Sequence, residues 1–304
     1  MKKSILICGG TGFLGFHLAK KLKKLNWNVF SISTNKPLKE RKIKNVKYYY
    51  CDISKKKKLN LILDKFQVDF VINFSGYVDH LNKKKTISSH YLGLKNLSNY
   101  YIQKKIFKFI QIGSSLEYGQ NNPPHKENMI IKSNHLKSSY SLSKFLSSNH
   151  LINAGVKYDF PYVILRPYLI YGPYQEINRI IPIVIDNCLQ DRSFPTSSGD
   201  QIRDFLYIND FIEIVYKLIT NKNIKKKIFN IGSGIPTKVR DVVKMINKKI
   251  RKGKPIFGVI KLRKDESKMY YPNIQKLKST IKHFKFTPLS LGLDKTIKYY
   301  EKKR

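Results

Sequence analysis

The alternation of apolar runs and amphipathic stretches sets the frame of this chain. Ile5-Leu6-Ile7-Cys8 is an apolar run of strand length that meets a turn, Gly9-Gly10-Thr11-Gly12-Phe13-Leu14-Gly15. The segment that follows, through Leu25, puts Phe13, Leu14, His17, Leu18 and Leu22 on one side of a helix. Further strands are predicted at 27–33, 46–51, 68–74, 107–112 and 162–166. Helices are predicted at about 57–66, 82–103 and 140–154. That alternation predicts a parallel sheet covered by helices on both faces. After Tyr171-Gly172-Pro173 the pattern changes to helices at about 179–189, 210–220, 237 onward and 289 onward, with short strands near 193–197 and 228–231. The expected fold class is therefore α/β, a Rossmann-type doubly wound sheet with a smaller C-terminal lobe. The expected division is residues 1–171 plus about 205–235 for the dinucleotide-binding domain, and about 172–204 and 236–304 for the substrate lobe.

The glycine spacing gives that frame a chemistry. Gly9 permits a tight turn, Gly12 lets backbone approach a pyrophosphate, and Gly15 lets the helix pack closely on the sheet. The helix N-terminus then offers amide protons and a partial positive charge to phosphates. Phe13 and Leu14 open that helix. At the end of the second strand, Ser33 stands where a ribose-binding carboxylate is common. No acid there would repel a 2′-phosphate, and Lys36 and Arg41 follow, which leans toward NADP(H) over NAD(H). Asp52 and Ile53 are placed for the adenine, although Asp52 fits a helix cap equally well. Phe74, Ser75 and Gly76, at the end of the fourth strand, are placed against the cofactor.

With 304 residues and 41% hydrophobic content the chain has material for a large core. No run approaches the roughly 18 apolar residues of a membrane span. The apolar start is too short for a secretory signal, and its glycines belong to the turn. Cys8, Cys51 and Cys188 form neither a metal spacing nor a disulfide framework. A cytoplasmic protein without metal is expected. Fifty-nine Lys and Arg against 20 Asp and Glu give a net charge of +39. The lysines are spread over the whole chain without a basic arm or nucleic-acid motif, so no specific nucleic-acid partner is expected.

Gly113-Ser114-Ser115-Leu116-Glu117-Tyr118-Gly119 follows strand five, where open α/β sheets bind ligands. Tyr140-Ser141-Leu142-Ser143-Lys144 opens the next helix, and one turn puts Tyr140 and Lys144 on the same face. The same spacing recurs at Tyr91/Lys95, Tyr100/Lys104, Tyr101/Lys105 and Tyr299/Lys303, which are expected at the surface. Position, not spacing, singles out Tyr140 and Lys144.

Taken in order, GGTGFLG, GSSLEYG, YSLSK, RPYLIYGP (166–173), GDQIRDFLYINDF (199–211), RKDE and PNIQKLK (263–278) resemble the extended short-chain dehydrogenase/reductases. Within that group they are most similar to the NAD-dependent epimerase/dehydratase family that acts on nucleotide sugars. The resemblance implies a catalytic set of Ser114, Tyr140 and Lys144. Tyr140 would be the acid or base at the sugar oxygen, Lys144 would lower its pKa and hold the nicotinamide ribose, and Ser114 would bond the same oxygen. Substrate contacts would come from Ser114, Ser115, Tyr140, Arg203 and Arg263, the two arginines clamping the diphosphate. Where sugar 4,6-dehydratases carry Asp-Glu after the catalytic Ser/Thr, this chain has Ser115-Leu116, and Leu116 cannot move a proton. His90 stands where the family usually has a structural Asn. The resemblance thus implies reduction of the C4 keto group of a nucleotide-linked 4-keto-6-deoxyhexose. A 4-epimerase with retained NAD is the alternative, and a non-catalytic dinucleotide- or RNA-binding relative a third. It also implies a homodimer through the helices at 82–103 and 140–154.

Overall fold

The computed structural model describes residues 2–77, 82–262 and 267–303. The chain begins with β1 (Ser4–Cys8), α1 (Phe13–Lys24), β2 (Asn28–Ser33), β3 (Lys47–Tyr50), α2 (Lys56–Leu63) and β4 (Phe70–Asn73). The helical segment before β5 (Lys108–Ile112) is α3 (Lys83–Ile87), a π-helical turn at Ser88–Leu92, and α4 (Gly93–Ile102). Then come α5 (Ser139–Tyr158), β6 (Tyr162–Pro167), β7 (Leu169–Tyr171), α6 (Ile180–Leu189), β8 (Ser193–Pro195), β9 (Ile202–Tyr207), α7 (Ile208–Thr220) and β10 (Lys227–Ile231). The remainder is β11 (Pro236–Lys238), α8 (Val239–Ile250), β12 (Lys254–Ile256), β13 (Met269–Tyr270), α9 (Gln275–Thr280) and α10 (Leu289–Lys302).

The main sheet has seven strands in the order β10-β6-β5-β4-β1-β2-β3. The pairings from β3 through β6 are all parallel. Ile5, Leu6, Ile7 and Cys8 are each 0% exposed, which is what a strand covered on both faces requires and why β1 reads as an unbroken apolar run. β2 and β4 flank β1, so the chain order reverses beside it, and the turn after β1 opens at that switch point. Behind the sheet, Phe30 stacks on Phe66 with ring centroids 4.4 Å apart.

The chain divides into two compact units. Unit 1 is residues 1–119, 130–167 and 212–229, and unit 2 is 120–129, 168–211 and 230–304. Within unit 2, β9 pairs with β11, β13 and β7. These short strands correct the sequence expectation in places. The helix expected from Thr237 starts at Val239, because Pro236–Lys238 pairs with Ile202–Asp204. Tyr101, expected at the surface, is 4% exposed and packs in the core. Among the described residues no helix is long and apolar enough to cross a membrane, and no cluster of His, Cys, Asp and Glu is arranged for a metal.

The glycine turn is held by steric necessity. Gly9 has φ +78°, and a Cβ there would lie 2.9 Å from the Phe74 carbonyl carbon. A Cβ on Gly15 would lie 2.3 Å from the Gly9 oxygen and 2.6 Å from Gly10 Cα. Gly15→Val is therefore expected to lower stability by about 1–3 kcal/mol through overpacking, read as a lower urea midpoint. The neighbouring Gly12→Ala serves as the mild control.

Candidate active site

At Gly12 the surroundings differ from those of Gly9 and Gly15. Only the Gly9 oxygen, at 3.4 Å, comes near a Cβ built there. Gly12 is the N-cap of α1, and no side chain caps that helix. The result is a bend whose glycines are packed on two sides and open on the third, next to the first-turn amides of Phe13, Leu14 and Gly15. That shape and polarity fit a pyrophosphate. The Thr11 amide donates to Ser33 Oγ at 3.3 Å, so the residue ending β2 braces the turn. Asp52 Oδ1 accepts from the Ser54 amide at 2.9 Å, an Asx turn ahead of α2. Ile53 is buried and fills the space over Gly93. Phe74 and Ser75 press their backbone on Gly9, and the Ser75 amide donates to Asn73 Oδ1 at 3.0 Å.

Ser114, Tyr140 and Lys144 follow β5 and open α5, within unit 1. Lys144 is 4% exposed, and its Nζ donates to the Ile112 carbonyl at 2.7 Å. This anchors the ammonium to the strand end that carries Ser114 two residues on. Burial pulls the Lys144 pKa down from its ordinary value to about 8, and the charge of Glu117 opposes that fall. The ammonium stands 5.7 Å from the centroid of the Tyr140 ring, while Tyr140 itself is half-buried. Ser114 Oγ accepts from the Leu116 amide at 3.1 Å, and its hydroxyl keeps a hydrogen to donate. Ser115 is buried and Leu116 is 43% exposed on the short turn that follows.

α5 starts with a capping box. Ser138 Oγ accepts from the Ser141 amide at 3.0 Å, and the Ser138 amide donates to Ser141 Oγ at 3.3 Å. This fixes the turn of helix on which Tyr140 sits. His90, in the π-helical turn, lies edge-on to Tyr140 with ring centroids 5.0 Å apart. Its Nε2 is 3.2 Å from the Tyr77 oxygen, and the Ser147 hydroxyl donates to its carbonyl at 2.9 Å. A Cβ on Gly76 would lie 2.0 Å from His90 Cε1. The requirement for glycine at position 76 comes from this ring, a neighbour that spacing in the sequence does not show.

Arg203 belongs to unit 2, on β9, half-buried, with Nη1 donating to the carbonyls of Ile202 at 2.9 Å and Lys268 at 3.4 Å. Its neighbour Asp204 is 0% exposed, and its carboxylate accepts from the amides of Ser233, Gly234 and Ile235 at 2.7, 2.6 and 3.2 Å. Burial pushes Asp204 up to about 6 against those bonds. Arg263 lies outside the described residues.

The family model described as "NAD dependent epimerase/dehydratase family" matches residues 5–232. The dTDP-D-glucose 4,6-dehydratase of Dictyostelium discoideum is 31% identical over 276 residues, which cover 80% of this chain and 61% of that protein. The chain thus spans less than two thirds of that relative's length. In fold it is similar to a UDP-glucose 4-epimerase of Thermotoga maritima solved with UDP-glucose, at TM-score 0.90 and 21% identity over 99% of both chains. It is also similar to the UDP-glucose 4-epimerase of Thermus thermophilus in complex with NAD, at TM-score 0.88 and 20% identity over 98% of this chain and 99% of that one. The family match runs from the glycine turn through the trio on β5 and α5, and the chain therefore belongs to the NAD dependent epimerase/dehydratase family.

Proposed function

We propose that this protein is an NAD(P)-dependent nucleotide-sugar oxidoreductase that reduces the C4 keto group of an NDP-4-keto-6-deoxyhexose. The observation that carries the choice of chemistry is the turn after Ser114. Elimination of water needs an acid and a base beside the catalytic hydroxyl, and this chain has buried Ser115 and a half-exposed aliphatic Leu116 there. Reduction needs only what Ser114, Tyr140 and Lys144 provide.

When bound, the nicotinamide supplies the hydride. The Tyr140 phenol delivers a proton to the C4 oxygen as it becomes an alkoxide. Ser114, already an acceptor from Leu116, donates its hydroxyl hydrogen to the same oxygen. Lys144, held by the Ile112 carbonyl, stabilises the tyrosinate left behind. Arg203 and Arg263 are assigned to the diphosphate by the same reading, and the helical segments at about 82–103 and 140–154 to a homodimer contact. The end of β2, with Ser33 and no carboxylate, supports NADPH over NADH.

Lys144 sets the pH dependence. Its ammonium is present below about 8 and lost above it, and an uncharged amine no longer stabilises the tyrosinate that proton transfer leaves. Turnover is expected to hold toward neutral pH and to decline as pH rises through that value, with the limb absent from the residual activity of Lys144→Met.

The deciding experiment mixes the protein with NADPH or NADH and a panel of nucleotide-linked 4-keto-6-deoxyhexoses, following nicotinamide absorbance. Stoichiometric oxidation of the reduced cofactor establishes the reductase. No oxidation with any keto sugar, together with interconversion of two nucleotide hexoses on catalytic NAD+, replaces it with a 4-epimerase, which would use the same three side chains.

A further inference from the structure

Glu117 is the one acid of the GSSLEYG segment, and it is 0% exposed. Its Oε1 accepts from the Ser114 amide at 2.8 Å. Its Oε2 accepts from the Ser148 hydroxyl on α5 at 2.7 Å and from Arg166 Nε on β6 at 3.0 Å. A Cβ on Gly113 would lie 2.3 Å from Oε1, so the carboxylate occupies the space that glycine leaves. The Arg166 guanidinium in turn lies over the Tyr118 ring at 4.8 Å. One anion therefore fastens the turn that carries Ser114 to the helix that carries Tyr140 and Lys144.

Stability alone is a weak reason to keep such a group. Replacing a buried ion pair by apolar side chains of similar volume is often neutral or stabilising. What an apolar pair cannot do is accept from the Ser114 amide. We propose that Glu117 is a positioning residue for the reaction, its buried carboxylate holding the Ser114 turn in register with α5. The proposal rests on Ser114, Tyr140 and Lys144 being the reacting set.

The same carboxylate acts on Lys144, opposing the fall in its pKa that burial causes. The other ionisable groups around this pair are Tyr140 on α5, Tyr118 on the turn, Arg166 on β6 and His90 in the π-helical turn. Loss of the Glu117 charge therefore has a signature that a purely structural residue would not give.

The test uses Glu117→Gln and the double variant Glu117→Met/Arg166→Met. The double variant removes both charges, so no lone buried cation is left to unfold the protein. Four quantities are measured: kcat and KM with the keto sugar and NADPH, the Ser114 amide chemical shift, and the titration of Lys144. The last is followed by its 13Cε signal, assigned with Lys144→Met. In the folded double variant we expect kcat to fall about tenfold or more with KM within about twofold, the pattern of an interaction made in the transition state. In Glu117→Gln, where only the opposite charge is lost, the Lys144 midpoint is expected to move down by about one pH unit. Wild-type kcat in the double variant, or an unmoved Lys144 midpoint in Glu117→Gln, would overturn the proposal. If the wild-type protein turns over no nucleotide sugar, the functional reading fails. The Ser114 and Lys144 signals then still report whether Glu117 holds the turn.

Discussion

Replacing Tyr140 by Phe is expected to lower kcat by a factor on the order of 10² to 10⁴, the usual worth of a placed general acid, and to leave dinucleotide binding within about twofold. The change removes one oxygen. The ring keeps its edge-on contact with His90 and its place beside Lys144, at 5.0 and 5.7 Å. The capping box at Ser138 and Ser141 does not involve the Tyr140 side chain and is untouched. A fold defect is therefore not expected, and far-UV circular dichroism with cofactor titration checks that. Turnover is read from nicotinamide oxidation. Activity within tenfold of wild type would remove Tyr140 from the proton transfer and turn attention to Ser114.

The largest expected effect on stability lies at Lys108. This residue is 2% exposed in the first position of β5, and its Nζ donates to the carbonyls of Leu218, Ile219 and Asn221 at 2.7, 3.2 and 2.6 Å. The Leu218 and Ile219 carbonyls lie in the last turn of α7, where the helix offers them no amide, and the Asn221 carbonyl, one residue past it, also accepts from the Ile224 amide at 3.3 Å. Lys108→Met keeps the length and the packing of the stem but deprives two buried acceptors of their donor, while the part-buried Asn221 carbonyl keeps the Ile224 amide. At about 1–3 kcal/mol for each buried group left unsatisfied, a loss of about 2 kcal/mol or more follows, measured as a drop in the urea midpoint at unchanged slope. Burial lowers the Lys108 pKa from 10.5 to about 8. Between those values the unfolded chain holds the extra proton, so the Lys108 contribution rises with pH across that window and is flat below it. The gap between wild type and variant should therefore widen from neutral to alkaline solution.

The parts of the fold that are legible in the sequence are those with long periodicity. β1 and β4 are buried on both faces and read as largely apolar runs, and the glycine turn follows from its spacing. The pairing of β7, β9, β11 and β13 is not legible. Strands of two or three residues carry no period, and partners such as Ile202 and Met269 are joined only by tertiary contact. The π-helical turn is indistinguishable from ordinary helix for a similar reason, since one extra residue in a turn changes no composition.

Side chains whose chemistry depends on burial are the least visible. Lys108 stands between Phe107 and Phe109 and reads as an outward-facing position of a half-exposed strand. Glu117 lies inside a motif whose other residues, Ser115 and Leu116, bear more plainly on dehydration. Asp204 fits an ion pair with Arg203 in the sequence, whereas its carboxylate accepts the Ser233–Ile235 amides. Tyr140 and Lys144 stand out despite four decoy pairs, because their place after β5 is a property of chain order.

The backbone passes from one unit to the other after residues 119, 129, 167, 211 and 229. Neither unit is thus a single stretch of the gene. A nonsense codon anywhere between 168 and 211 would spare the glycine turn and the trio, yet it would delete the 212–229 segment. With it would go the α7 carbonyls that Lys108 holds. Recombination that swaps unit 2 for that of a relative must exchange three separate cassettes at once. Splicing at one junction would leave each half with an orphaned strand or helix.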